Sequence, residues 1–204
     1  MENMAGDIRQ SRESAYFLQQ EQKLLERMRR NAAQEAETLR LMEALGIRHQ
    51  EAVRELVEMG FDLETARLLY LVPLIQVAWS DGSMSQKERE QILGVAAVHG
   101  FQTGSAAHDR LVGWLTERPS ERFFRACLGG VKAMLKNRPP AEALALGRKL
   151  VSYCTGIASA SGGFLGLRSG ISAEEEDLLV QLAKELEVHH RGAAGQLAEE
   201  LARE

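Results

Sequence analysis

The stretch VAWSDGSMSQKERE, from Val77 to Glu90, carries the clearest structural signal in this chain. An apolar helix runs into Asp81-Gly82, a short polar turn follows, and a second helix begins at Ser85. Gly82 suits the left-handed position that ends many helices. Ser85, with Glu88 three residues later, matches the capping box of a helix N-terminus. This segment therefore predicts a helix-loop-helix unit.

A weaker copy of the unit lies 87 residues later, where Ile171-Ser172 aligns with Met84-Ser85 (171 − 84 = 87) and Glu175 aligns with Glu88. The second copy repeats the capping-box spacing. Arg168 stands where the first copy has an acid, so a cation site at this turn would be incomplete. The repeat predicts an internally duplicated helical domain whose two turns both carry acidic side chains.

Apolar residues recur with helical spacing in almost every segment, and no β-branched run bounded by turn residues indicates a strand. We expect about nine helices, and these cover residues 10–45, 50–59, 63–80, 85–99, 106–117, 120–136, 140–159, 172–187 and 194–203. Pro73 should kink the third helix or mark its true first turn. The predicted fold is all-α: a compact multi-helix bundle with an internal helix-loop-helix duplication, preceded by a long N-terminal helical arm.

We assign residues 1–46 to this arm and residues 47–204 to the compact helical domain. A seven-residue apolar repeat runs along the arm through Leu18, Leu25, Ala32 and Leu39. A neighbouring seam through Met28 and Met42 is interrupted by Glu21 and Glu35, which weakens it relative to the seam of a two-stranded coiled coil. We expect the arm to pack on the domain or on a protein partner, and a homodimer through this helix is one form of that contact.

The composition is that of an ordinary soluble globular protein, with 45% apolar and 26% charged residues among 204. The net charge of −4 is mild and evenly spread, which argues against nucleic acid as a partner. The longest apolar run, Leu68 to Trp79, is shorter than the roughly 20 residues of a transmembrane helix, and no secretion signal precedes it. Cys127 and Cys154 lack CxxC spacing, so we expect buried thiols and a cytoplasmic location.

The acids of the first turn have two interpretations. As helix caps, Asp81 and Glu88 satisfy main-chain N–H groups and complement the positive end of the helix dipole without any ligand. As cation ligands, the two carboxylates, helped by the Ser83 and Ser85 hydroxyls, offer the hard oxygen donors that Ca²⁺ and Mg²⁺ prefer. The turn lacks the ligand ladder of an EF-hand. A divalent cation bound weakly at this turn is therefore the one cofactor that we expect under this interpretation.

The run PLIQVAWSDGSMSQKERE, residues 73–90, resembles the TerB-like family, whose members carry an apolar helix, an Asp-Gly turn and a following Glu. The second-half segment GGFLG…IS-x-x-E is similar to the duplicated helix-loop-helix of that family. The resemblance implies an all-helical, internally repeated cytoplasmic scaffold linked to tellurite resistance and general stress. It also implies metal binding through acidic positions, which fall on Asp81 and Glu88 in this sequence.

Basic side chains are enriched in residues 118–138. Four of them share one face of the predicted helix, opposite its apolar residues; these four are Arg122, Arg125, Lys132 and Lys136. A solvated helix surface accounts for this pattern. The alternative is an interaction face for an acidic protein, a phosphate group or the anionic surface of a membrane, which would make the protein a peripheral membrane binder.

Two further patterns bear on function. Met59-Gly60-Phe61 looks like the loop with which ubiquitin-associated domains present an apolar patch, although a glycine helix end followed by a hydrophobic contact explains it equally well. No nucleophile elbow, phosphate loop or zinc motif occurs, so we expect no enzyme activity. Our first hypothesis is a TerB-like binding or scaffold protein with a weak cation site. The alternative is a metal-free helical interaction module whose acidic turns act only as caps.

Overall fold

The computed structural model describes the backbone of residues 2–160 and 173–186 and the side chains of residues 16–159 and 177–184. Every regular element within these ranges is helical, which confirms the all-α class. The α-helices are α1 Glu2–Leu45, α2 Gln50–Glu58, α3 Val72–Ala78, α4 Gln86–Val98, α5 Ala106–Thr116, α6 Glu121–Lys136, α7 Pro140–Ala160 and α8 Ala173–Leu186. A 3-10 helix, Ala66–Leu71, precedes α3. The helix predicted at residues 194–203 lies outside the described part of the chain.

A serine is the N-cap residue of three consecutive helices. The hydroxyl oxygens of Ser85, Ser105 and Ser120 accept hydrogen bonds from main-chain N–H groups in the first turns of α4, α5 and α6. At Ser85 the capping box is complete, because the Glu88 side chain also accepts a bond from the Ser85 N–H. Each such cap stabilises a helix by about 1 kcal/mol. The start predicted for α4 from its sequence is therefore confirmed.

The segment that we predicted as one helix over residues 63–80 contains two. The chain forms the 3-10 helix and then α3, with Pro73 in the first turn of α3. Proline has no N–H to donate and its ring clashes with the preceding turn, so it suits the start of a helix and not the interior. Pro73 thus marks a true first turn, which is the second of the two alternatives expected.

Helix α3 lies at the centre of the molecule. Six of its seven residues are buried, and it packs against α4, α6, α7, α8 and the 3-10 helix. A helix that is apolar on all sides is typical of a protein interior. The Asp-Gly turn follows α3 directly, so one end of the turn is anchored to the core.

Helix α6 lies close to its neighbours at Gly130. A Cβ atom at this position would lie 2.9 Å from Cδ1 of Leu56 and 3.3 Å from Cδ2 of Leu69. Both leucines are fully buried and cannot easily yield space. Glycine therefore allows α6 to pack tightly on α2 and on the 3-10 helix.

Helix α1 is longer than predicted, and its last turns join the core. It begins at Glu2 rather than near residue 10. Thr38, Leu41 and Leu45 are buried, and this end of α1 packs on α2 and on the 3-10 helix. Every side chain from residue 16 to residue 36 is exposed. The helix therefore extends away from the domain instead of lying along it.

Two helix-loop-helix units, α3–α4 and α7–α8, pack against each other. Helix α3 contacts α7 and α8, and α4 contacts α7. The first helices of the two units differ in length, with seven residues in α3 and 21 in α7. Helix α8 begins at Ala173, as predicted, but residues 161–172 and the Glu175 side chain lie outside the described part of the chain. Equivalence of the two turns stays a prediction.

Candidate functional site

The Asp-Gly turn is held by local hydrogen bonds. Asp81 Oδ1 accepts one bond from the Ser83 N–H at 2.8 Å and another from the Ser83 hydroxyl at 3.1 Å. Gly82 has a φ of 86°, a left-handed conformation that favours glycine. The Asp81 side chain is exposed, and only Oδ1 is engaged in the hydrogen bonds of the described residues. One carboxylate oxygen therefore stabilises the turn and the other is free.

Glu88, the second predicted cation ligand, is 3% exposed. Its Oε2 accepts a hydrogen bond from the Ser85 N–H at 2.7 Å, and the Glu88 N–H donates to the Ser85 hydroxyl at 3.3 Å. These are the contacts of a helix cap. No group of three or more His, Cys, Asp or Glu residues that could hold a metal ion occurs in the described part of the chain. A cation bound by Asp81 and Glu88 would take its other ligands from hydroxyls, carbonyls and water.

The basic face of α6 has the amphipathic arrangement that the sequence indicates. Arg122, Arg125 and Lys136 are exposed and Lys132 is half-buried, whereas the apolar residues on the other side of the helix are buried. Arg122 Nη2 donates to Glu58 Oε2 at 2.7 Å, which joins α6 to α2. Both side chains of this pair are largely exposed, so it contributes at most about 1 kcal/mol to stability.

The Met59-Gly60-Phe61 tripeptide is a helix end followed by a core contact. Gly60 has a φ of 83°, and the Phe61 N–H donates to the Leu56 carbonyl at 3.0 Å. The Phe61 ring is 2% exposed, with its centroid 5.6 Å from that of Trp114. A buried Phe61 cannot present an apolar patch to ubiquitin, so the tripeptide has a structural role.

Large exposed apolar side chains concentrate on α1. Seven of the nine such side chains among the described residues belong to this helix. Six of the seven share one face, which we name the apolar stripe: Phe17, Leu18, Leu24, Leu25, Met28 and Leu39. With 3.6 residues per turn, the stripe is centred about 130° around the helix from the face that buries Leu41 and Leu45. The described part of the domain therefore leaves the stripe uncovered.

A cavity of about 200 Å³, which we name the basic pocket, opens between the 3-10 helix, the end of α4 and α7. Among the described residues its lining contains three cations and no acid, and comprises Arg67, Tyr70, Leu71, His99, Phe101, Arg138, Leu146, Lys149, Leu150 and Tyr153. The sequence did not reveal this pocket, because Arg67 is distant along the chain from Arg138 and Lys149. Only the packing of α7 on the central helices brings them together.

Hydrogen bonds and ring contacts fix the side chains of the basic pocket. Arg67 Nη2 donates to the His99 carbonyl at 3.1 Å, and Arg138 Nη2 donates to the Tyr70 hydroxyl at 3.1 Å. Lys149 Nζ lies 5.5 Å from the centroid of the Tyr153 ring. These contacts hold the three cationic groups in place around one cavity.

The environment of the basic pocket changes the pKa of His99. Burial, and then the positive charges of Lys149 and Arg67, lower the pKa of His99 below its ordinary value. The ring is neutral near pH 7, because even an unperturbed histidine has a pKa of about 6.5. The imidazole therefore adds no fourth positive charge, and its ring lies edge-on to Tyr153 with centroids 6.1 Å apart.

Cys127 and Cys154 are buried free thiols, as predicted. Burial raises the pKa of both thiols, that of Cys154 to about 12. The thiolate is the nucleophilic form of cysteine, and it is scarce when the pKa lies far above neutral pH. Neither residue is therefore suited to nucleophilic catalysis.

No protein-family model, curated protein or solved structure significantly matches this chain. The TerB-like resemblance thus rests on residues 73–90 and the second-half segment of the sequence alone. Among the helices of the described residues, none has the length and apolar character needed to cross a membrane.

Proposed function

We propose that this chain is a non-enzymatic helical binding protein that docks an α-helix of a partner protein on α1. The apolar stripe carries the proposal, since Phe17 is 69% exposed and Met28 is 59% exposed. A concentration of exposed apolar side chains on one helix face is typical of an interaction site. Its heptad-like spacing suits a second helix, because apolar residues about 3.5 positions apart keep one seam facing a partner helix.

The charges within the stripe favour a partner other than a second copy of this chain. Glu21 and Glu35 are exposed and stand seven residues before and after Met28. A parallel pair of α1 helices would place each glutamate opposite its own copy. An antiparallel pair centred on Met28 would place Glu21 opposite Glu35 of the second copy. Like charges across a helical seam oppose pairing, so a partner helix with Lys or Arg at these positions fits better.

The TerB-like resemblance extends the proposal to a cytoplasmic scaffold role in tellurite resistance or stress response. Residues 73–90 and the paired units α3–α4 and α7–α8 support it. A weak divalent-cation site at Asp81 and Glu88 belongs to the same proposal, and the unengaged Oδ2 of Asp81 supports it.

The alternative is a metal-free interaction module, supported by the complete capping box at Ser85. Comparing tellurite tolerance of cells that produce wild type or Asp81→Ala tests the resistance role.

Site-specific photocrosslinking tests the docking proposal. A benzophenone amino acid is placed at Leu25, within the stripe, or at Arg30, which lies about 140° away around α1. We expect a partner crosslink from Leu25 only, to a peptide with an apolar heptad repeat and basic residues fourteen positions apart. The double substitution Leu25→Glu and Met28→Glu should abolish capture. Equal crosslinking from both positions contradicts the proposal, and a crosslink to a second copy replaces it with a homodimer.

A further inference from the structure

We propose that the basic pocket binds a small phosphate monoester, with the phosphate group held by Arg67, Arg138 and Lys149 and the organic group on the apolar floor of the cavity. This site is separate from α1, and the inference does not depend on the proposed docking function. Its basis is a set of charges, hydrogen-bond donors and apolar walls that converge on one cavity.

The charge of the pocket is poorly compensated. The chain as a whole carries −4, yet the ten lining residues include three cations and no acid. The ion pairs of the described residues include neither Arg67 nor Lys149. Arg138 pairs with Glu142 at 3.9 Å, and that carboxylate is 63% exposed. A dianion would relieve the mutual repulsion of the cations, whereas a carboxylate would offset only one of the three charges.

The lining also supplies a neutral hydrogen-bond donor. The Tyr70 hydroxyl oxygen already accepts from Arg138, so its own hydrogen is free to donate. A phosphate group offers three acceptor oxygens, and guanidinium groups match its geometry particularly well.

The rest of the lining is apolar and sets the size of the ligand. Leu71, Phe101 and Leu150 are buried and form the floor, with the Tyr153 ring at one side. A volume of about 200 Å³ is below the 300–1,000 Å³ of pockets for drug-sized ligands. These features favour a compact organic group attached to the phosphate over free inorganic phosphate.

Isothermal titration calorimetry with the full chain tests the proposal, using phenyl phosphate, inorganic phosphate and benzoate as probes. We expect phenyl phosphate to bind about tenfold more tightly than either of the other two. Absence of phenyl phosphate binding overturns the proposal. Equal affinity for inorganic phosphate overturns the role of the apolar floor, and equal affinity for benzoate overturns the requirement for a dianion.

Neighbouring residues of α7 supply a matched control. Lys149→Gln removes a pocket cation and should weaken phenyl phosphate binding about tenfold. Arg148→Gln makes the same charge change at an exposed position outside the lining and should leave binding unchanged. Leu146→Trp fills the cavity without altering charge and should abolish binding, with the melting temperature confirming that each variant folds. Equal losses in Lys149→Gln and Arg148→Gln would show only a general charge effect and overturn the site.

Discussion

The indole Nε1 of Trp79 donates a hydrogen bond to the main-chain carbonyl of Trp114, with 2.9 Å between the two atoms. Trp79 is the C-cap residue of α3 and lies two residues before Asp81, and Trp114 belongs to α5. The Trp114 ring in turn packs on Phe123 with centroids 5.0 Å apart. The turn is thereby tied to the aromatic part of the core through one side-chain bond.

Trp79→Phe should destabilise the protein, because it removes the donor and leaves the Trp114 carbonyl without this partner. We expect a loss of about 1–3 kcal/mol in the free energy of unfolding, measured by urea denaturation. Tyr16→Phe, at an exposed position on α1, is the control and should change stability by less than about 0.5 kcal/mol. Equal stabilities of the two variants would show that the bond is unimportant.

Two adjacent glycines of α6 should respond in opposite ways to alanine. At Gly129 an added Cβ meets no atom within 4 Å, so Gly129→Ala should stabilise the helix by about 0.5–1 kcal/mol. At Gly130 the added Cβ would press on Leu56 and Leu69, and overpacking of this kind costs about 1–3 kcal/mol. Thermal unfolding should place the melting temperature of Gly130→Ala below that of Gly129→Ala. The reverse order would contradict the close approach of α6.

The lowered pKa of His99 predicts a pH dependence of stability. Because its pKa is lower in the folded state than in the unfolded state, the unfolded chain binds more protons between those two values. The free energy of unfolding should therefore rise as the pH increases through this window, and acid below about pH 6.5 should destabilise the protein. Urea denaturation across this range should show a shallower dependence for His99→Gln. Identical dependences would contradict the pKa shift.

The two interpretations of the Asp-Gly turn predict different responses to Asp81→Ala. If the acids act only as caps, calorimetry with Ca²⁺, Mg²⁺, Mn²⁺ and Zn²⁺ should detect no binding to wild type, and the substitution should only lower stability. If a cation binds, wild type should release or absorb heat with at least one ion, and Asp81→Ala should lose that signal. Glu55→Ala is the control, since it removes an exposed carboxylate of α2 outside the turn and keeps every candidate cation ligand.

Local signals predicted the helices well. Ser85 and Ser120 begin α4 and α6 through short-range hydrogen bonds, which depend on residues three positions away and so can be read from sequence. Helix α1 begins at Glu2 rather than near residue 10, and the residues before Pro73 form a 3-10 helix rather than part of an α-helix. Both differences concern element ends, where local preference is weakest.

Tertiary relationships were harder to predict. The Met59-Gly60-Phe61 pattern is compatible with an exposed, partner-facing Phe61, but packing on Trp114 buries this ring. The basic pocket depends on Arg67 and Lys149 lying near each other, although 82 residues separate them (149 − 67 = 82). No periodicity or spacing rule connects such positions, because their proximity follows only from how α7 packs on the rest of the domain.

The exposed part of α1, residues 16–36, is a single helical segment whose length sets a distance. Twenty-one helical residues span about 30 Å at 1.5 Å each, so a protein held near Tyr16 would stay at a set distance from the globular body. Inserting one heptad near Ala33 would lengthen this separation by about 10 Å and change the rotational setting by only about 20°. In any assembly built on this helix, the number of residues in α1 would therefore set the distance between the bound protein and the globular body.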